Sequence, residues 1–162
     1  MGMGKAYFNS PIGWLEIESG KKGIRRITRV DKPGQSDADE ALLQTATLQL
    51  ESYFSGDLQG FTLPLDWEGE PEFSQQVWKM LLEIPYGHTA SYLSIAEKLG
   101  NPKAVRAVGQ ANRHNPIAIV VPCHRVIAKN GDLQGYFYGL DVKRQLLQLE
   151  NPNSFGIQSA LF

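Results

Sequence analysis

The stretch that begins at Ser91 constrains the fold most, because it predicts two short helices joined by a tight turn. Ser91 is a good N-cap, and apolar side chains then recur on one side of a helix. Gly100 stands where a left-handed C-terminal cap is favoured, and Asn101-Pro102 supplies the cap and first residue of a second helix that ends near Asn112. Helix, three-residue turn and helix is the helix-turn-helix spacing, although any pair of packed helices can have it.

The charged residues are distributed in blocks, although the formal net charge is only -1. Residues 1–30 hold six basic and two acidic side chains, residues 31–83 hold two and eleven, and residues 98–144 hold eight and two. Such blocks are often solvated faces. A basic zone that contains the helix-turn-helix pattern is also what contacts to the phosphates of a nucleic acid require.

The composition is typical of a globular chain, with 42% hydrophobic and 10% aromatic residues. The longest apolar run, residues 117–121, is far too short to cross a bilayer, and residues 1–5 have no signal-peptide apolar region. We therefore expect a soluble intracellular protein with no membrane partner, cytoplasmic or, in a eukaryote, nuclear.

The N-terminal part has a different pattern. Alternating and apolar residues over 5–19 and 23–30 predict two or three antiparallel strands joined by tight turns. Apolar residues at helical spacing predict a helix from about Asp39 to Phe54 that Gly56 ends. Residues 56–71 are rich in Gly, Pro and acidic residues, which predicts a linker.

These patterns predict an α+β protein in three parts. Residues 1–68 form a small antiparallel sheet with a helix and the linker, and residues 69–150 form a mainly helical domain. Residues 151–162 are a tail to which no function is assigned. In the helical domain, an apolar stripe that starts at Phe73 predicts a first helix, ended by residues 84–87.

Cys123 is the only cysteine, so an internal disulfide and any site built from several thiolates are excluded. The apolar run before it predicts a buried strand ending at Pro122, with Cys123 and His124 at the strand's carboxyl edge. A lone cysteine beside such a run is commonly a packed small hydrophobe. Here the adjacent histidine and the positive potential of Arg125 favour a reactive thiolate instead.

Direct contact between Cys123 and His124 is not expected, because adjacent residues of an extended chain point to opposite sides. A water would have to bridge them. His88 and His114 show no ligand spacing with His124, so we predict no catalytic metal.

Four short segments follow one another in the helical domain, namely Gly100-Asn101-Pro102-Lys103-Ala104, Arg106-Ala107-Val108-Gly109, Arg113-His114-Asn115-Pro116 and Pro122-Cys123-His124-Arg125-Val126. Together these segments resemble the O6-alkylguanine-DNA alkyltransferase family, also called methylated-DNA-protein-cysteine methyltransferases. The resemblance runs from Phe73 to Glu150, about half of the chain. It implies a ribonuclease H-like N-terminal unit followed by a winged-helix-like domain with a helix-turn-helix.

The resemblance also implies the chemistry. Cys123 matches the acceptor that takes an alkyl group from O6 of guanine once per molecule, with no cofactor. His124 matches the residue that draws the thiol proton through a water, and Glu150 matches the carboxylate that orients the histidine. Tyr92 matches the phenol that hydrogen-bonds the purine, and Asn115 matches the side chain that braces the turn before the cysteine.

Double-stranded DNA that contains O6-alkylguanine is the implied partner of a monomeric protein. An alkylated base must leave the stack to reach a buried thiol, and Arg106 matches the arginine that fills the vacated space. The second helix is expected in the minor groove, whose readout is degenerate. Small residues allow its close approach and basic residues accompany them, namely Ala104, Ala107, Gly109, Ala111, Lys103 and Arg113.

The implied substrate pocket departs from some family members. Its wall is formed by Val126, Tyr136, Phe137, Tyr138 and Gly139. Some members have serine and glycine in place of Phe137 and Tyr138. The bulkier pair is expected to narrow the pocket, so that methyl adducts react well and benzyl adducts poorly. The structural zinc site of some relatives is expected to be absent, because the N-terminal unit has no cysteine.

Two other classes of function remain open. One is an alkyltransferase-like protein that binds damaged DNA without transfer, but in such proteins the acceptor cysteine is replaced, whereas Cys123 is present. The other is a cysteine hydrolase that uses Cys123 and His124. A hydrolase would turn over many times and would leave the helix-turn-helix without a purpose.

Overall fold

The computed structural model describes residues 4–37, 40–128, 130–131, 136 and 138–154. The chain forms two compact units. One contains the residues up to Glu68 together with Pro116–Ala118, and the other contains Gly69–Asn115 and the residues from Ile119 onward. Within the described residues, no helix combines the length and the apolar character needed to cross a membrane.

The first unit is a three-stranded antiparallel sheet with one helix. Strands β1 (Lys5–Ser10), β2 (Gly13–Ser19) and β3 (Ile24–Val30) lie in chain order. Leu15 and Ile17 of β2 are fully buried, as the alternation of apolar residues predicts. Helix α1 (Ala41–Phe54) buries one apolar stripe in the same core, and Gly56, with φ of 86°, follows its end.

Part of the predicted linker, at residues 64–66, is hydrogen-bonded to strand β3. Leu65 forms a bridge to Ile24 of β3, and the buried Asp66 carboxylate accepts hydrogen bonds from the backbone N–H groups of Lys22 and Glu68. Composition predicted irregular chain here correctly. It could not reveal that backbone hydrogen bonds of Pro64 and Asp66 to Ile24, together with the Asp66 carboxylate, attach this chain to β3 and the turn before it.

The second unit is mainly helical. Helix α2 (Glu72–Leu81) is followed by β4 (Ala90–Ser91) and α3 (Tyr92–Lys98). A 3-10 turn (Pro102–Ala104) leads into α4 (Val105–Arg113). After the 3-10 turn Cys123–Arg125 come β5 (Val126–Ile127), parallel to β4, helix α5 (Leu140–Glu150) and a last 3-10 turn (Pro152–Ser154).

The predicted helix-turn-helix is present, and most of its caps are confirmed. Ser91 caps α3 in a reciprocal pair with Ser94, with hydrogen bonds of 3.0 and 3.1 Å. Gly100 has a φ of 82°, the left-handed conformation expected after a helix. The predicted cap at Asn101 is wrong, because its side chain makes no capping hydrogen bond. Pro102 instead starts a 3-10 turn, and α4 itself begins three residues later than predicted.

The predicted strand over residues 117–121 is also wrong. Only the start of this segment pairs with β3, where Ile27 donates to the carbonyl of Pro116 and Ala118 donates to that of Ile27. Ile119 then has a φ of 73°, which breaks the extended conformation and costs about 1–3 kcal/mol for a β-branched residue. An apolar run reports burial, which is complete here, but it does not distinguish a strand from buried irregular chain.

Candidate active site

Cys123 opens a 3-10 turn rather than lying at the edge of a strand, and its side chain is buried. Its backbone N–H donates to the carbonyl of Val121 at 2.8 Å. Burial raises the pKa of the thiol, whereas the Asn115 amide, the positive charge of Lys143 and the Tyr136 phenol act in the opposite direction. Because burial dominates, the thiol needs a base in order to ionise.

His124 and Glu150 form a buried pair. The distance from His124 Nε2 to Glu150 Oε2 is 2.7 Å, and both side chains are almost completely excluded from solvent. Burial lowers the pKa of His124, although the Glu150 carboxylate opposes this effect. Nε2 donates to the carboxylate, so Nδ1 is the proton acceptor of the neutral ring. Nδ1 is buried and has no hydrogen-bond partner among the described residues.

Arg125 does not provide the positive potential at the thiol that the sequence predicted. Its Nε and Nη2 atoms donate to the two oxygens of Glu150 at 2.8 and 3.1 Å, and Nη1 donates to the carbonyl of Ile84 at 2.7 Å. Burial alone would raise the pKa of Glu150, but His124 and Arg125 outweigh it and hold that pKa well below its usual range. Glu150 is therefore a fixed anion between the histidine and the arginine.

Among the described residues, the cation that acts on the sulfur is Lys143, which sequence reasoning missed. Lys143 is fully buried, and its Nζ donates to the carbonyl of Val126 at 2.6 Å. Burial lowers the pKa of Lys143 to about 8, and the negative charge of ionised Cys123 opposes the shift. A signal was available, because Lys143 and Glu150 are two helical turns apart and both lie on the face of α5 that buries Leu146.

Tyr92 and Asn115 lie beside the cysteine, as expected. Tyr92 begins α3, and burial together with the nearby Cys123 raises the pKa of its phenol. A Cβ atom on Gly109 of α4 would lie 3.9 Å from the Tyr92 ring, so the second helix packs closely on this phenol. The Asn115 Nδ2 atom donates to the carbonyl of Val121 at 2.8 Å and thus ties the end of α4 to the chain before the cysteine.

The residues predicted to form the pocket wall are placed as follows. Val126 is buried in β5, and burial together with Cys123 raises the pKa of Tyr136 well above its usual value. The ring of Tyr138 packs edge-on against that of Tyr136, with centroids 5.8 Å apart. Gly139, with a φ of 97°, precedes α5. Phe137 lies outside the described residues.

The predicted DNA-contacting residues share the exposed side of the 3-10 turn and α4, with one exception. The side chains of Lys103, Arg106, Ala107 and Arg113 are exposed, and Ala104 and Gly109 are half-buried. Ala111 is buried, and its carbonyl accepts a hydrogen bond from Trp78 of α2 at 2.8 Å. It faces the core of the unit and cannot approach a ligand, contrary to the prediction.

Two further exposed polar residues lie on α4 and at its end. Gln110 and His114 line a cleft of about 570 Å³ together with Phe73 and Trp78 of α2. The His114 Nδ1–H group donates to the carbonyl of Gln110 at 2.7 Å. No group of three or more metal-ligating side chains occurs in the part of the chain that the structure describes.

Two known protein domains match consecutive parts of this chain. The DNA-binding domain of 6-O-methylguanine DNA methyltransferase matches residues 72–152, and the ribonuclease-like domain of the same methyltransferase matches residues 3–67. This chain belongs to the 6-O-methylguanine DNA methyltransferase family. The predicted family and the predicted α+β fold class are thereby confirmed.

Individual members of the methyltransferase family are similar along almost their whole length. The methylated-DNA–protein-cysteine methyltransferases of Methanosarcina acetivorans and Mycobacterium tuberculosis are both 47% identical to this chain over 151 residues. The alignments cover 90% of this chain and 96% and 91% of those proteins. A crystal structure of Mycobacterium tuberculosis OGT in complex with DNA matches with a TM-score of 0.82 at 43% identity, covering 91% of this chain and 93% of that one.

Proposed function

We propose that this methyltransferase repairs O6-alkylguanine in double-stranded DNA by transferring the alkyl group to Cys123, once per molecule. The observation that carries the proposal is that Cys123, His124 and Glu150 are all buried and that His124 Nε2 is hydrogen-bonded to Glu150 Oε2 at 2.7 Å. A neutral histidine whose Nε2 is fixed by a carboxylate is an oriented base. The reaction requires DNA, so we place the protein in the cytoplasm, or in the nucleus of a eukaryote.

The first step is removal of the thiol proton. Nδ1 of His124 takes the proton of Cys123 through a bridging water, and Glu150 stabilises the imidazolium that forms. The positive charge of Lys143 stabilises the thiolate. Both charges created by the step thus form beside a charge of opposite sign that is already held in place.

The second step is the alkyl transfer itself. The Cys123 sulfur attacks the alkyl carbon, a C–S bond forms, and the bond from that carbon to O6 of guanine breaks. The electron pair of the broken bond stays on guanine, whose ring is protonated from the Tyr92 phenol, and the phenol recovers a proton from His124. The thioether has no good leaving group, so the protein is consumed in the reaction.

The DNA interface is the exposed face of α4 and the turn before it. Arg106 enters the stack in place of the extruded base, and Ala104, Ala107 and Gly109 allow close approach to the minor groove. Lys103 and Arg113 are exposed at the two ends of this face, where they contact phosphates. All the proposed reactive and DNA-contacting residues lie within residues 69–150, and residues 1–68 form a separate domain.

Intact mass spectrometry tests the proposal directly. The protein is mixed with a duplex that contains one O6-methylguanine, and the expected result is the gain of one methylene on the Cys123 peptide, stoichiometric with protein. The matched control is Cys123→Ser, which should bind the same duplex with unchanged affinity and gain no mass. Tight binding of damaged DNA by an unmodified wild-type protein would indicate a binding protein instead, and repeated turnover of a small ester would indicate a hydrolase.

A further inference from the structure

A short segment between α2 and β4 lies against the Arg125–Glu150 ion pair, and its only predicted role was to end a helix. The Ile84 carbonyl accepts the Nη1–H group of Arg125 at 2.7 Å. The ring of Tyr86 lies with its centroid 5.7 Å from the Arg125 Cζ atom. Within this segment, Ile84 therefore binds an edge of the Arg125 guanidinium, and the Tyr86 ring lies against its face.

The same segment also contacts the end of α5. The Tyr86 hydroxyl donates to the carbonyl of Leu149 at 3.5 Å, and Asn151 Nδ2 donates to the carbonyl of Gly87 at 3.0 Å. These bonds flank Glu150 on both sides along the chain. The segment is thus attached to the helix end that supplies the carboxylate and to the arginine that pairs with it.

We infer that Tyr86 is a positioning residue for the transfer reaction, acting through Arg125 and Glu150 on His124. Its ring covers one face of the guanidinium, keeps water from it and holds the fork of Arg125 in the plane of the carboxylate. The carboxylate in turn fixes His124 Nε2. The inference rests on the proposed role of His124 as the base that receives the thiol proton.

The physical basis is the strength of a cation–π contact in a nearly dry site. The side chain of Arg125 is only 8% exposed, and that of Tyr86 is half-buried over it. A guanidinium stacked on a phenol ring is more strongly bound when it is desolvated than at an exposed surface. An aliphatic side chain in place of Tyr86 would let water solvate the Arg125 face and weaken its pairing with Glu150.

The direction of the effect on His124 follows from the groups that surround it. Burial, Arg125 and Lys143 lower the pKa of His124, and Glu150 raises it, while the neighbouring Cys123 is neutral in the resting protein. Loss of the Tyr86 ring hydrates the site and leaves more of the Glu150 charge to act on the histidine. Both changes raise the pKa of His124, by about half a pH unit if the contact has the usual strength.

The experiment compares wild type, Tyr86→Leu and the matched control Tyr86→Phe, which keeps the ring and removes the hydroxyl group. The rate constant of methyl transfer at saturating O6-methylguanine duplex is measured from pH 4.5 to 8.5. In parallel, the titration of His124 is followed by its imidazole NMR signal in the free protein, which needs no transfer. Tyr86→Met provides a second non-aromatic variant, should Tyr86→Leu fail to fold.

The expected result is a shift of both profiles to higher pH in the non-aromatic variants, with Tyr86→Phe superimposed on wild type. Unshifted profiles in a less stable Tyr86→Leu protein would show that the ring only packs, and would overturn the inference. Equal shifts in the Phe and Leu variants would overturn it as well, since the hydroxyl and not the ring would then be responsible. If the His124 titration shifts in Tyr86→Leu but wild-type protein transfers no methyl group, the action of Tyr86 on His124 is supported and the proposed function is refuted.

Discussion

Lys143 offers the sharpest test of the site, because its charge is unfavourable for folding and favourable for chemistry. The side chain is fully buried, and Nζ donates to the carbonyl of Val126 at 2.6 Å. Replacement by methionine keeps the length of the side chain and removes the charge. We expect Lys143→Met to transfer methyl groups more slowly than wild type without being less stable at neutral pH.

The effect of Lys143 on the free energy of unfolding follows from its pKa, which is lowered from 10.5 to about 8. Below pH 8 the lysine is protonated in both the folded and the unfolded chain, so the folded state bears the full cost of the buried charge, roughly 3 kcal/mol. Between pH 8 and 10.5 the unfolded chain binds more protons, and the stability of wild type therefore rises with pH. The stability of the variant does not rise in this way. At pH 7 the variant no longer bears the desolvation cost of the buried charge, but it loses one charged hydrogen bond of about 1.5–3 kcal/mol. The free energy of unfolding therefore changes little.

The effect of Lys143 on the transfer rate acts through the pKa of the Cys123 thiol. Loss of a neighbouring positive charge raises the pKa of a thiol by about one unit, which lowers the thiolate population and the transfer rate about tenfold at pH 7. The assay combines urea unfolding of both proteins at pH 7 and 9.5 with single-turnover transfer at saturating DNA. A variant that transfers at the wild-type rate, or one that loses more than about 2 kcal/mol at pH 7, would refute the reasoning.

Four further predictions test other parts of the molecule. Glu150→Gln leaves Arg125 without its anion and should lower the free energy of unfolding by about 3–5 kcal/mol at pH 7. Because the pKa of Glu150 is depressed, the carboxylate stabilises the wild-type fold above pH 4, and this stabilisation is lost as acid protonates the folded state. Urea unfolding at several pH values would detect the loss. Asp66→Asn removes a carboxylate that two backbone N–H groups bind, and calorimetry should detect a loss of about 1–2 kcal/mol. Arg106→Ala should slow transfer from duplex DNA strongly while leaving transfer from the free O6-methylguanine base unchanged, and equal losses for both substrates would contradict a role in base extrusion. A duplex with O6-benzylguanine should react much more slowly than one with O6-methylguanine, and comparable rates would show that the aromatic wall at Tyr138 does not narrow the pocket.

The parts of the fold that the sequence predicted are those in which local chemistry decides. The cap at Ser91 and the left-handed Gly100 depend on backbone groups within a few residues, so their signals are strong. The predicted strand at 117–121 failed because burial on all sides and strand formation produce the same apolar run. The conformation of Ile119 is set by contacts that no local pattern records.

The candidate site divides in the same way. The proposed reactive pair of Cys123 and His124 could be predicted from the sequence because the two residues are adjacent in the chain. The assignment of Arg125 to the thiol was wrong and Lys143 was missed, because a charged side chain can point to either side of a turn or helix and only the folded structure decides. Here Arg125 pairs with Glu150 through two hydrogen bonds, which leaves Lys143 as the cation beside the sulfur.

This exchange of roles between the two cations supports the proposed reactivity of Cys123, although burial raises the pKa of its thiol. The ion pair of Arg125 and Glu150 is neutral in sum, and it stabilises the imidazolium of His124 because one Glu150 oxygen also binds Nε2. The charge of Lys143 stabilises the ionised sulfur, and the ionised sulfur in turn opposes the lowering of the Lys143 pKa by burial. In the proposed reaction, alkylation converts the sulfur to a neutral thioether, so the favourable interaction between the thiolate and the Lys143 ammonium is no longer available in the product.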